Sequence, residues 1–172
     1  CSAKMSTEQA YYFRRFAAMY GTNNIDHQAR IWHSATVAGV ANTWGYGAMT
    51  NHFGDLLGHS KAIFMIGANS AVANPIGFKH MLQAKDRNNA KLIVIDPVYT
   101  KSAAKADHYL RIRTGTDVAF IYGLLHLIFK NGWEDESFIE QRVYGIEEVK
   151  KEALTWTPEK TSDVTGIPAE QI

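Results

Sequence analysis

Three short stretches carry the residue types best suited to gripping a ligand, and each begins where an apolar run ends. "GANSA" (67–71) opens with Gly67, which lets a phosphate or a ring come close to the backbone, and supplies Asn69, a side chain that both donates and accepts. "DPVYT" (96–100) opens with Asp96, whose carboxylate can accept from ribose hydroxyls or from the edge of a guanine. "RTGTD" (113–117) sets Gly115, Thr116 and Asp117 at the start of an expected helix, where free N–H groups attract anionic or acceptor atoms. Each stretch also has a purely structural reading: a turn, a strand end and a helix cap. "GANSAV" lacks the third glycine of the common GxGxxG dinucleotide fingerprint.

A fourth stretch, "ARIWHSATVAG" (29–39), sets Trp32 directly before His33 among small and polar residues. Neither helix nor strand periodicity calls for an indole there. Histidine is the side chain that exchanges protons near neutral pH, so His33 is a candidate for proton transfer. The other histidines show no metal-ligand spacing. His27 and His33 are too far apart for one helical face, and no HExxH occurs. Ser34 and Ser70 are not in a GxSxG elbow, and no paired-carboxylate pattern supports glycoside hydrolysis.

The elements that must position these residues are legible from period and punctuation. Residues 6–20 read as a helix, with Ser6 or Thr7 as cap, Ala10, Phe13, Ala17 and Tyr20 on one face, and Gly21 as stop. "TNNIDHQAR" reads as loop, "HSATVAGVANTWG" as a helix of small residues ending near Gly45, and "NHFGDLLG" as a short helix. "KAIFMIG" (61–67) and "AKLIVIDP" (90–97) are expected buried strands. Between them "NPIGFKHMLQAKDRNN" (74–89) is an amphipathic helix with Phe78, Met81, Leu82 and Lys85 in register. Strand, helix and strand at this spacing form a βαβ unit, so the two strands are expected to be parallel. "DHYLRIR" (107–113) is expected to be a third strand and 116–132 a long helix begun by Thr116-Asp117. Short charged helical pieces follow. The fold expected is α/β: a Rossmann-like parallel core over 61–132, a helical lead-in over 1–60, and a helical extension over 133–172, all within one partial domain.

Composition narrows the function classes. The 172 residues are 46% hydrophobic and 20% charged with a net charge of +1, so neither nucleic acid nor an anionic membrane is an expected partner. Cys1 is the single cysteine, which rules out an internal disulfide or a four-cysteine cluster within these residues. The most apolar run, 118–129, is too short to span a bilayer and is interrupted by His126. Residues 1–20 lack the apolar core of a signal peptide. A start at cysteine and an end at "IPAEQI", which reads as the opening of a new helix, suit a fragment of a larger subunit.

The segment "NIDHQARIWHSATVAGVANTWGYGAMTNHFGDL" resembles the active-site segment of formate dehydrogenase catalytic subunits, members of the molybdopterin-guanine-dinucleotide oxidoreductases (the DMSO reductase superfamily). The family pattern runs DxxARxUHxxxVAG and then GxGAMTN, where U is selenocysteine or cysteine. Asp26, Ala29, Arg30, His33, Val37, Ala38, Gly39, Gly45, Gly47, Ala48, Met49, Thr50 and Asn51 match it. "IGANSAVANPIGF", "VIDPVYTKSAAKADHYLRIRTGTD" and "TPEKTSDVTGIPAEQI" continue the likeness in order.

The resemblance implies reversible oxidation of formate to carbon dioxide at a molybdenum or tungsten centre held by two molybdopterin guanine dinucleotides. It makes His33 the active-site histidine and assigns Gly67, Asn69, Asp96, Thr100, Gly115, Thr116 and Asp117 to one pterin nucleotide. Arg30 is either a positive charge near the site or part of a buried structural ion pair. A 4Fe–4S cluster in a preceding segment, an iron–sulfur electron-transfer subunit and a membrane cytochrome subunit are further implied, with a periplasmic home ahead of a cytoplasmic one. The second pterin site, the cluster cysteines and a formate-holding arginine lie outside these residues, so the fragment is expected to be inactive alone.

The sequence departs from the pattern at Trp32, the position of the metal ligand. Indole N–H is a donor only, whereas such a centre takes soft thiolate or selenolate ligands. A selenocysteine codon, UGA, read as tryptophan accounts for the departure; an inactive paralogue and an erroneous or engineered residue are the rivals. Two further readings of the chain remain open: another molybdopterin oxidoreductase such as a nitrate reductase, and a generic Rossmann-like nucleotide-binding module.

Overall fold

The computed structural model describes residues 1–2, 4–31, 33–47 and 51–172. These fall into two compact units, Cys1–His52 and Phe53–Ile172.

The first unit is helical. Helix α1 spans Thr7–Tyr20. Ser6 accepts from the Gln9 N–H while the Gln9 side chain accepts from the Ser6 N–H, a reciprocal cap that fixes where the helix starts. Gly21 ends it in the left-handed conformation. Of the face expected to be apolar, Ala17 is buried, but Phe13 and Tyr20 are exposed. Ile25, Phe13, Phe16 and Tyr20 instead line an open groove with Cys1 and Asp26. The helix expected at 33–45 is divided: His33–Val37 form a π-helical turn, and α2, Ala38–Trp44, continues as α-helix to Gly45. Wider i→i+5 turns are rare and leave no periodicity in so short a run.

The second unit is built on a three-stranded parallel sheet in the order β1 (Ala62–Ile66), β2 (Lys91–Ile95), β3 (His108–Leu110). Ala62 pairs with Lys91 and Ile93 with His108. Both expected βαβ strands are present and parallel, joined by α4 (Ser70–Ala73) and α5 (Pro75–Asn88). Asn74 caps α5 by accepting from the Gly77 N–H, and Pro75 occupies its first turn. Alternation along β2 sends Leu92 and Val94 into one core with Ile63, Met65, Phe78 and Ala84, and Ile95 into a second with Leu110, Ile112, Phe120 and Ile167. The sheet is therefore covered on both faces, by α3 (Phe53–His59) and α5 on one side and α6 (Asp117–Asn131) on the other, as parallel sheets require. Leu92 and Val94 have no exposed surface; burying each stabilises the fold by about 1.5–3 kcal/mol.

The third strand is shorter than the 107–113 expected. The β2 ladder ends at Ile95 opposite Leu110, and beyond it the Arg113 N–H donates to the Thr165 carbonyl of α9 instead of to a strand. The C-terminal residues form α7 (Glu136–Arg142), α8 (Ile146–Ala153) and α9 (Pro158–Thr165). Helices α6 and α9 meet at Gly123, where a Cβ would lie 2.6 Å from the Thr161 side chain. Only glycine permits that approach.

Candidate functional site

Because the sheet is parallel, the loops after β1, β2 and β3 leave from one edge. Gly67, directly after β1, has φ +58° and donates its N–H to the Ile95 carbonyl at 2.9 Å. A Cβ at Gly67, or at Gly115 with φ +83°, would meet no atom within 4 Å. The left-handed backbone, rather than crowding, demands glycine at both positions, and the space beside them is open.

Asn69 accepts through Oδ1 from the Ser102 hydroxyl at 3.0 Å, and the Ser102 Oγ in turn accepts from the Ala71 N–H at 3.0 Å. Ser102 is fully buried. It ties the loop after β1 to the loop after β2, a role that its place in "YTKSAA" does not advertise. Asp96 is 8% exposed. Its N–H donates to the Leu110 carbonyl, its own carbonyl accepts from the Tyr109 hydroxyl at 2.9 Å, and Oδ1 accepts from the Val98 N–H at 2.8 Å. Among the described residues Oδ2 accepts from none. Burial pushes the Tyr109 phenol above its ordinary value; Arg111 opposes that shift, while Asp96 and Tyr99 add to it. Asp96 thus joins β2 to β3 and keeps one carboxylate oxygen for another donor.

Two expected site residues are engaged locally. Thr100 Oγ1 accepts from the Ala103 N–H at 3.1 Å and closes a turn. Thr116 stands at the N-cap of α6, yet its hydroxyl donates to the Arg113 carbonyl at 2.7 Å and caps nothing. Asp117, exposed, is the first residue of α6 and suits its positive end. Beside these loops Pro97, Val98, Arg111, Thr114 and Gly166 line a groove of about 550 Å³. Arg113 also borders it but spends its guanidinium on the Asp163 and Val164 carbonyls.

Gly67, Asn69, Asp96, Thr100, Gly115, Thr116 and Asp117 all belong to the second unit; Gly67 is bonded to Ile95 beside Asp96, and Asn69 to Ser102 of the loop after β2. His33 belongs to the first unit, where it opens the π-helical turn and is exposed. Trp32 lies outside the described residues, as do Ala48, Met49 and Thr50 of the glycine-rich motif. Arg30 does pair with Asp26, but the pair is exposed rather than buried, with side chains 74% and 55% accessible. The His27 N–H and Arg30 hold the Asp26 carboxyl below its ordinary value. Among the described residues no three His, Cys, Asp or Glu side chains are grouped to hold a metal ion, and no helix is long and apolar enough to cross a membrane.

A three-stranded parallel sheet with helices on both faces defines an α/β domain. Within that class the chain belongs to the molybdopterin oxidoreductase family, whose model matches residues 1–162. It is 41% identical over 172 residues to the F420-dependent formate dehydrogenase 1 subunit alpha of Methanococcus maripaludis, covering 99% of this chain and 25% of that one. It is 40% identical to the formate dehydrogenase-O major subunit of Escherichia coli over 86% of this chain and 15% of the relative, and 36% identical to formate dehydrogenase H of the same organism over 96% and 23%. The chain spans about a quarter or less of the length of these relatives. Among solved structures, acetylene hydratase from Pelobacter acetylenicus superposes with a TM-score of 0.72 at 28% identity, covering 93% of this chain and 21% of that one.

Proposed function

We propose that the chain is part of the catalytic subunit of a formate dehydrogenase. The observation that carries this reading is identity of 36–41% to several relatives named as formate dehydrogenases over nearly the whole chain. The rim residues fit the nucleotide end of a molybdopterin guanine dinucleotide. Gly67 and Gly115 leave backbone open to close approach, and Asp96, itself largely buried, offers its second carboxylate oxygen to the N–H edge of a guanine. Asn69, fixed by Ser102, and the first turn of α6 at Thr116 and Asp117 complete the cradle. Thr100 supports it through its turn.

When bound, a molybdenum or tungsten bis-pterin centre supplies the two-electron redox chemistry that converts formate to carbon dioxide. This chain orients the nucleotide and, at an imidazole nitrogen of His33, holds the proton released from formate. Residue 32 as written does not fit a metal ligand, because indole has no free lone pair to give. We therefore read Trp32 as a UGA selenocysteine codon translated as tryptophan. An iron–sulfur cluster elsewhere in the subunit would supply the exit for electrons; the designations "subunit alpha" and "major subunit" of the relatives support a partner subunit.

The test is formate-dependent dye reduction by the full-length subunit, with tryptophan or with Trp32→Cys or selenocysteine at that position. Activity is expected with cysteine or selenocysteine and is lost with tryptophan. Trp32 itself favours a second reading, a non-catalytic paralogue. A codon other than UGA, together with no formate activity in the Trp32→Cys protein, would select it.

A further inference from the structure

Strand β1 forms one edge of the sheet among the described residues. In a parallel ladder every second residue turns both its N–H and its C=O toward the neighbouring strand. The Lys61 carbonyl accepts from the Lys91 N–H at 2.8 Å, and the Gly67 N–H donates to the Ile95 carbonyl at 2.9 Å. Ile63 and Met65, in phase with these two, therefore face β2, and Ala62, Phe64 and Ile66 turn their backbone groups the other way. Among the described residues no hydrogen bond takes up those N–H and C=O groups.

An open edge is ordinarily blunted by a charge, a proline or a bulge. Ala62–Ile66, with the sequence AIFMI, has neither charge nor proline, and its register with β2 runs without a bulge. Phe64 is 47% exposed although it stacks on Phe120, and α6 leaves Val118 and Ile121 exposed. An apolar edge with unpaired backbone is a template for another strand.

The path of the chain says which strand. The connection from β1 to β2 packs α5 on the face lined by Ile63 and Met65, and the connection from β2 to β3 packs Ala103 on the same face. Each advances the chain one place from β1 toward β3. Helix α6, after β3, packs on the opposite face through Phe120. Crossovers between parallel strands are right-handed, so a crossover on the opposite face advances in the opposite direction. The first open place in that direction is the outer edge of β1. Among the described residues no strand follows α6, and the chain spans 25% of the length of the Methanococcus maripaludis relative.

We infer that a strand from the part of the subunit beyond Ile172 pairs in parallel with β1 and covers Phe64. The strand order then changes direction at β1, and the crevice at such a reversal is where open parallel sheets take ligands. Gly67 and Asn69 form one wall of that crevice, and the loop after the added strand forms the other. The inference rests on the topology of the sheet and not on the formate reading. A second copy of the chain, related by a two-fold axis, would instead pair β1 with itself in antiparallel fashion.

The test uses the full-length subunit with Phe64→p-benzoylphenylalanine, irradiated and then mapped by mass spectrometry. The expected product is a cross-link within one subunit to a segment after Ile172. The same photoreactive residue at Ala62 is expected to link to an earlier residue of that segment, as parallel pairing requires. A link to a second copy, to a segment before Cys1 or to residues 1–52 overturns the inference, as does the reverse order of links or the absence of any. The unaltered subunit gives a second reading that no substitution can disturb. Amide hydrogen exchange at Phe64 and Ile66 is expected to fall within about tenfold of that at Ile63 and Met65. A wider gap, with Phe64 and Ile66 the faster pair, shows the edge to be open and overturns the inference.

Discussion

In the unit Phe53–Ile172, Leu92, Val94, Ile95 and Ile167 have no exposed surface; in the unit Cys1–His52, Tyr12, Phe16, Met19 and Tyr20 are 64–85% exposed. Among the described residues Ala17 is the only buried hydrophobic side chain of the first unit, while the second unit has two clusters on opposite faces of a sheet. The first unit nevertheless carries the residues with the most specific expected chemistry, Trp32 and His33. Holding a fold and doing chemistry are thus divided unequally along the chain. The unit that grips the nucleotide in our reading can support itself, and the unit that presents the imidazole draws little support from its own apolar residues.

The strongest way to break this comparison is to separate the two. Residues 53–172 on their own are expected to melt cooperatively, whereas 1–52 on their own show no cooperative transition by circular dichroism or calorimetry. A cooperative transition in the shorter piece would refute the contrast. Next in size, Leu92→Ala is expected to cost about 2–5 kcal/mol in chemical denaturation, against a change within about 0.5 kcal/mol for Phe16→Ala. Gly123→Ala drives a methyl into Thr161 at the α6–α9 contact and is expected to cost about 1–3 kcal/mol, read as a lower urea midpoint.

The smallest expected effect concerns Asp107, which sequence reading did not single out. Its Oδ2 accepts from Lys85 Nζ at 2.9 Å and from the Leu92 N–H at 2.7 Å, pinning α5 and the lead into β3 to the sheet. Lys85 first, and the Leu92 N–H after it, hold the carboxyl below its ordinary value. Its stabilising contribution is therefore complete above that ordinary value and disappears as pH falls through the folded one. Asp107→Asn is expected to cost about 1 kcal/mol at neutral pH, since asparagine keeps an acceptor for Leu92 and loses the charge. The difference from the parent protein should begin to shrink below about pH 4 and close once the pH is below the folded value. A gap that stays constant from neutral to acidic pH would show that the charge contributes nothing.

The fold was largely legible because its signals are local. Ser6 and Gln9 mark the start of α1, Pro75 and Asn74 mark α5, and the apolar runs at 62–66 and 92–95 become the paired strands. What stayed hidden depends on contacts between distant residues. The early end of β3 follows from Arg113 turning to Thr165, about 50 residues on, and the linkage of two rim loops follows from buried Ser102. The exposed face of α1 was also illegible: periodicity shows that Phe13 and Tyr20 share a side and says nothing of what covers it. At the candidate site, strand ends alone pointed to Gly67, Asn69 and Asp96, because a parallel sheet gathers such ends on one edge. Thr100 came from the family resemblance; His33 was a candidate from its residue type and its place after Trp32, and the resemblance gave it its role.

The central claim is that the rim of the sheet holds a guanine nucleotide through Asp96. The direct measurement is the nucleotide released on denaturing the full-length subunit from a host able to make the cofactor, compared with the Asp96→Ala protein. A near-stoichiometric guanine nucleotide in the parent, reduced severalfold in the variant, is the expected result. An adenine, nicotinamide or flavin nucleotide in the parent, or an undiminished guanine content in the variant, would contradict it.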